Sequence, residues 1–490
     1  MENQKTKIIS IASIIALALT LVTATFAYFM AQTGEGKSTD IKINASTVDT
    51  LTFEAGSAIS LNLNQDNFAS GKGNQTGTTF AKAMLTANNK TNTATEHYYL
   101  YLNISNNTFT YTQNANTPEI LLTIKDASGN AVTSISGLTY KTVTDGKGAS
   151  ISGFDITTKS GLITLFDNRE ITTTSSKTEQ WNITVTFVNY NSNQAGNAGK
   201  NFSAKLMIQK EKIPTVLSDV CTSGNNLATC ITTLSNKSEP SIVNIYHHTS
   251  SLANGAGDNS YRYAGASDSV NNYICLGSDE TTCPDANLFR IIGVFGDQTK
   301  VIRAKSVGRK EWHTSVDNTW SSSSLNTYLN GEYLTSLGII ADKIATTTWK
   351  VGGGSWSNIV TSVPKTAYQY EVGSGASTTT VDKKIGLMYV SDYYYSASPS
   401  AWTLVGYNES DATKDYRSAT STNWLYLGSY EWTISRNSDY TYSAFDVTST
   451  GSVYSSSVTN DNVARPSFNL LSSVTYASGS GTSSDPIRIN

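Results

Sequence analysis

Apolar and polar positions alternate with a period of two through much of the first half of the chain. In "HYYLYLNIS" the pattern puts Tyr98, Leu100, Leu102 and Ile104 on one face; "QWNITVTFVNY" does the same with Trp181, Ile183, Val185 and Phe187. "FSAKLMIQK" repeats it with Phe202, Ala204, Leu206 and Ile208. Each segment predicts a strand with one buried face. Between them, "EILLTIKDASGNAVTSISGL" predicts a hairpin turning at Asp126 to Asn130. Strands of this kind, separated by Gly, Asn and Ser turns, predict an antiparallel β-sandwich of immunoglobulin-like architecture over residues 28–212.

The pattern breaks over residues 213–245, where Pro214, Pro240, a cysteine pair and a short helical stretch read as a connector. Residues 246–490 then read as a loop-rich α+β domain. "NLFRIIGVFGDQTKVIRAK" predicts two strands around Gly296-Asp297. "TWSSSSLNTYLNGEYLTSLG" predicts a helix capped by Ser323 or Ser324 and stopped at Gly338, with Leu325, Tyr328, Leu329, Tyr333, Leu334 and Leu337 on one side. Gly331 argues against an unbroken helix. In "EWTISR", alternation places Trp432, Ile434 and Arg436 on one face and Glu431, Thr433 and Ser435 on the other. An arginine on an apolar face is either a hydrogen-bonded brace or part of a recognition site.

Composition changes the picture in one respect: of 490 residues only 15% are charged, against about 25% in ordinary soluble domains. With a net charge of −3 there is no basic field for a nucleic acid backbone. The N-terminus carries an address. Lys5 and Lys7 precede an apolar run from Ile8 to Phe29, and a small residue, Thr25, precedes Ala27, so residues 1–27 read as an export signal, with an uncleaved membrane anchor as the alternative. Cys221 with Cys230, and Cys275 with Cys283, are spaced too widely for zinc pairs and lack histidine support, which favours two short-range disulfides, although other pairings are formally open.

Two resemblances follow from quoted segments. The leader ending "ATFAYFMAQ", followed by "IKINASTVDTLTF" and a strand-rich stretch, resembles the secreted camelysin and TasA group of Gram-positive bacteria, which implies a β-sandwich and the option of fibre assembly. The series "WSSSSLNTYLNGEYL", "KIGLMYVSD", "YEWTISR", "AFDVTSTGSV" and "NVARPSFNL" is similar to a family of bacterial surface domains with a C-type-lectin-like fold shared with formylglycine-generating enzymes. That resemblance implies a fold and not an activity: the chain has no cysteine after Cys283 for formylglycine chemistry, and no E-P-N, Q-P-D or W-N-D string for calcium-dependent sugar binding.

Other motifs carry little. Ser362 to Lys365, "SVPK", fits S-x-x-K but has no partner string, and its Pro364 reads as a poor helix start. The doublet His247-His248 lacks a third ligand, and Asp392, Asp411 and Asp446 select no glycosidase pair. A binding role is therefore expected, with no cofactor and no metal. Its candidate residues are Arg436, Trp432, Tyr393, Tyr394, Tyr395, Trp402, Trp424, Tyr430 and Arg465, and its expected partner is a glycan or surface protein. Two alternatives stay open: a fibre subunit assembling through Tyr28 to Asn44, and a secreted glycan-acting enzyme. Membrane contact is expected only through the N-terminal segment.

Overall fold

In the first unit, burial alternates over Asn201–Gln209 as the sequence pattern requires, whereas Leu100 to Ile104 are buried without alternation. The computed structural model describes residues 49–68, 71–88, 92–114 and 116–490; the leader and the Tyr28 to Asn44 segment lie outside them. The chain divides into two compact units, Met1–Lys212 and Ile213–Asn490. It is mainly β, with several antiparallel sheets and few helices. No helix among the described residues is long and apolar enough to cross a membrane.

Among its described residues the first unit has ten strands: Thr50–Ala55 (β1), Ile59–Asn62 (β2), Gln75–Thr86 (β3), Ala94–Asn107 (β4), Ile120–Asp126 (β5), Tyr140–Thr144 (β6), Ser150–Asp155 (β7), Gly161–Thr173 (β8), Ser176–Phe187 (β9) and Asn201–Gln209 (β10). They form a six-stranded sheet ordered β1-β3-β9-β5-β7-β6 and a four-stranded sheet ordered β2-β10-β4-β8. One apolar core lies between them, filled by the predicted inward residues, among them Tyr98, Leu100, Leu102, Ile183, Val185, Phe187 and Phe202. A β-sandwich results. Its sheets are also tied by a polar chain: Trp181 Nε1 donates to Tyr98 OH at 2.8 Å, and that hydroxyl donates to Glu179 at 2.7 Å. Arg169 Nε completes it, donating to Glu179 at 2.7 Å while stacking over Trp181.

The predicted Asp126 turn forms, with Asp126 Oδ1 accepting from the backbone of Ser128 and Asn130, each at 2.9 Å. Its returning arm does not become a strand. It makes a single bridge, Lys125 to Ala131, because that edge of β5 is taken by β7, which pairs Phe154 with Leu122.

The second unit starts earlier than the sequence pattern suggests. Residues 213–245 are not a free connector: the helix Leu227–Lys237, capped by Asn226, buries Leu227, Cys230, Ile231 and Leu234 in the main core. Leu227 N also donates to Val474 O at 3.0 Å, which locks the segment to the far end of the chain. Disulfides Cys221–Cys230 and Cys275–Cys283 both form, with Cα atoms 5.6 and 5.9 Å apart.

The strands of this unit are Ile245–His247 (β11), Tyr261–Tyr263 (β12), Tyr273–Cys275 (β13), Leu288–Phe295 (β14), Gln298–Arg303 (β15), Arg309–Glu311 (β16), Thr347–Lys350 (β17), Thr380–Lys383 (β18), Ile385–Gly386 (β19), Glu431–Arg436 (β20), Ser443–Val447 (β21), Val453–Ser457 (β22), Asp461–Val463 (β23), Ser467–Leu470 (β24), Tyr476–Ser478 (β25) and Arg488–Ile489 (β26). The larger sheet runs β11-β12-β14-β15-β24-β19 with β13 beside β14, and the second runs β16-β23-β20-β21-β22. β17 pairs β18 and β25 pairs β26. The β14–β15 hairpin turns at Gly296, whose φ of +64° suits glycine.

The predicted helix is present, with Ser323 Oγ accepting from Asn326 N. It does not break at Gly331 but widens there, since Ser324–Tyr328 is α-helical, Leu329–Tyr333 is a π-turn and Leu334–Ser336 returns to α. Asn330 in that turn clamps β19, accepting from Ile385 N at 3.0 Å and donating to Ile385 O at 2.8 Å. Pro364, expected as a poor start, is the first residue of the helix Pro364–Glu371, where the missing N–H costs no bond.

Candidate functional site

The residues of "EWTISR" form β20, inside the second sheet between β21 and β23. Its pairing with β21 is irregular between Trp432 and Arg436, and both faces are covered: Glu431 through Ser435 are buried and Arg436 is half-buried. Arg436 Nε donates to Gly352 O at 2.9 Å and its Nη1 to Asn318 Oδ1 at 3.4 Å. Glu431 is taken by Arg465, whose Nε and Nη2 reach its two oxygens at 2.6 and 2.8 Å. Both members of that pair are buried, and Arg465 also donates to Leu425 O at 2.6 Å. Arg465 acts as a brace, with Nε and Nη2 spent on Glu431 and on Leu425 O.

The expected aromatic surface is also corrected. Tyr393, Tyr394, Tyr395, Trp402, Trp424 and Trp432 are all buried, and each polar atom is spent on a backbone carbonyl. Tyr393 OH donates to Gly451 O at 2.7 Å, Tyr394 OH to Ile359 O at 2.8 Å and Tyr395 OH to Asn254 O at 3.2 Å. Trp402, Trp424 and Trp432 donate to Ala397 O, Tyr263 O and Lys310 O. The three tyrosines sit on the short helix Val390–Tyr395, every residue of which is buried. Of the expected aromatics only Tyr430 is exposed, at 44%.

A different set of rings reaches the surface. Trp356 opens the helix Trp356–Ile359 behind the cap Ser355 and meets Tyr454 of β22 edge-on, 5.2 Å between ring centres. Tyr407 joins them, 6.5 Å from Trp356 and 5.8 Å from Tyr454, with the Arg417 guanidinium 5.2 Å from its ring. Trp356 and Tyr407 are half-buried, and Tyr454 is exposed. The loop between β20 and β21 lies beside them: Asp439 Oδ2 accepts from Trp356 N at 2.7 Å, and Ser438 N donates to Gly354 O at 2.8 Å. That loop presents Tyr440 and Tyr442, 52% and 47% exposed, with ring centres 5.5 Å apart.

The loop is held from below. The buried Asn318 amide donates to the carbonyls of Asn437, Tyr440 and Ser443 at 2.8, 2.8 and 2.7 Å. Its oxygen is the group that Arg436 contacts, so Arg436 orients Asn318 and Asn318 sets the loop. Neither link was visible in the sequence. The sequence signal for the surface rings was weak: Tyr440 and Tyr442 stand among Asp, Thr and Ser, but the buried Trp320 and Trp432 also have polar neighbours on both sides.

Buried charge is concentrated elsewhere in this unit. Asp392 Oδ2 accepts from Lys300 Nζ at 2.6 Å and from Tyr389 N at 2.8 Å, and its Oδ1 lies 3.6 Å from Arg262 Nη1. Arg262 also pairs with Asp258 at 2.6 Å. Glu371 accepts from Val390 N and Ser391 N at 2.8 Å each and from Ser435 Oγ; burial raises its pKa, opposed by those hydrogen bonds. Burial lifts Asp446 to about 7, although Ser456 and Asn462 donate to its Oδ2. Asp411 is a turn residue, accepting from Thr413 N at 3.0 Å.

His247 stacks on Tyr261, and its Nε2 is 2.7 Å from Asn259 Oδ1. Burial, with Arg262 nearby, drives His248 down to about 2, so it is neutral and its Nδ1 accepts from Ala256 N. Among the described residues no three His, Cys, Asp or Glu side chains are grouped to hold a metal. Comparison with protein-family profiles, characterised proteins and solved structures finds no match.

Proposed function

We propose that this is an exported adhesion or matrix protein of the bacterial surface, whose second unit binds a glycan noncovalently on the Trp356, Tyr407 and Tyr454 rings and the neighbouring Tyr440–Tyr442 loop. The observation that carries the reading is this group of exposed and half-buried aromatics on and beside a braced loop. Rings of this kind offer an apolar face to the C–H face of a sugar, and their rigidity keeps the entropy lost on binding small. Asp439 and Arg417 supply polar groups at the margin. Two disulfides and a weakly charged surface suit an extracellular setting.

The test is binding of the full chain to a panel of immobilised bacterial and host glycans, beside Trp356→Ala and Tyr454→Ala proteins checked for folding by circular dichroism. The reading expects selective binding by the wild type, weakened about 10-fold or more by either folded variant. No glycan bound, or equal binding by all three, defeats it.

A second reading has one observation in its favour. Among the described residues β1 is the first strand and lies at an edge of its sheet, where a segment of a neighbouring copy can add. Electron microscopy of the purified protein then shows filaments, and dispersed particles at high concentration count against assembly.

A further inference from the structure

The Lys300–Asp392 contact has features that an ordinary ion pair does not need. Both side chains are almost wholly buried, 5% and 2% exposed, with Nζ and Oδ2 at 2.6 Å. The ammonium is walled by Tyr389, Trp349 and Phe295, whose ring centres lie 4.6, 5.3 and 5.6 Å away. On the far side of the carboxylate, Arg262 Nη1 stands 3.6 Å from Oδ1 and has no hydrogen-bond partner among the described residues. The rest of that guanidinium is fixed, Nε on Ser260 and Nη2 on Asp258. A cationic donor is therefore held in reserve beside one carboxylate oxygen while an amine is pressed against the other.

We propose that Lys300 and Asp392 condense into an intramolecular isopeptide bond, joining β15 covalently to the helix Val390–Tyr395. The starting pair carries every atom the reaction requires. A bond forms between Lys300 Nζ and Asp392 Cγ, and the Cγ–Oδ2 bond breaks. Oδ2 leaves as water with two of the three ammonium protons, the third stays on the amide nitrogen, and no oxidant, reductant or co-reactant enters. One positive and one negative charge disappear together, which removes a costly buried pair.

Three physical effects favour the step. Contact geometry replaces a bimolecular encounter, an advantage that reaches effective molarities of roughly 10⁵–10⁸ M for well-oriented groups. Burial depresses the Lys300 pKa, opposed by Asp392, so the neutral amine that attacks is easier to reach than in water. As nitrogen attacks Cγ, negative charge grows on Oδ1, where the unused Arg262 donor is waiting. Arg262 is thus a stabiliser of the tetrahedral state and a hydrogen-bond donor to the amide carbonyl that remains.

The experiment is intact mass spectrometry of the purified full chain under denaturing conditions, beside Lys300→Arg, followed by proteolysis and fragment sequencing after reduction. The expected wild type is one water lighter than its sequence with two disulfides predicts, and one branched peptide contains both Lys300 and Asp392. Lys300→Arg keeps the full mass, a result that can be read whether or not the variant folds. A folded wild type of full mass overturns the proposal, as does a missing water that maps to any other residues.

Discussion

Arg436 and Arg465 are the two arginines that the sequence leaves ambiguous, and their partners separate them. Arg465 shares two charge-assisted bonds with Glu431 inside the core, so Arg465→Ala strands a buried carboxylate and should destabilise the second unit by about 3–5 kcal/mol in denaturant unfolding. A loss below about 1 kcal/mol contradicts the buried-pair reading. Arg436 is half-buried and bonds neutral oxygens only, so its removal should cost about 1 kcal/mol. The partner of Glu431 lies 34 residues away, and no local pattern points to it. Asp446 gives a pH signature. Its carboxyl ionises near 4 when unfolded and near 7 when folded, so its stabilising contribution is full below pH 4 and is lost as pH rises to about 7, on the order of a few kcal/mol. Asp446→Asn should flatten that part of the melting-temperature profile, and parallel profiles for the two proteins count against it.

At the scale of elements, period-two apolar patterning made the strands of the sandwich legible, because one face of each meets a shared core. The second arm of the Asp126 hairpin was not, because β7, from later in the chain, had already claimed the edge. In the second unit the capped helix near Ser323 could be read, whereas the π-turn reflects Asn330 gripping β19, a contact made 55 residues on. The segment Gly352-Gly353-Gly354 shows the same limit. Gly353 has φ +66°, and a Cβ there would sit 1.9 Å from Arg436 O. Gly353→Ala should therefore destabilise by about 3 kcal/mol or more, since neither backbone can yield without disturbing β20. Unfolding within about 1 kcal/mol of wild type contradicts that close approach.

At the scale of the molecule, a boundary near residue 212 follows from the loss of strand patterning, but the start of the second core does not. Leu227, Ile231 and Leu234 belong to that core, so a fragment 246–490 should aggregate or lack a cooperative transition, while 213–490 should unfold cooperatively. Equal behaviour of the two fragments in thermal melts contradicts this assignment. The candidate site was the least legible feature of all. The run Tyr393 to Tyr395 lies in the interior, and the rings that reach the surface come from separate segments brought together by β20, β21, β22 and the helix Trp356–Ile359. Tyr430 and the Tyr440–Tyr442 pair are all exposed, so their replacement leaves the core intact. The most direct measurement is glycan binding by the full chain carrying either Tyr440→Ala with Tyr442→Ala, or Tyr430→Ala. The account predicts that the double variant loses binding about 10-fold or more while Tyr430→Ala binds as wild type. Loss with Tyr430→Ala alone, or undiminished binding by the double variant, would contradict it.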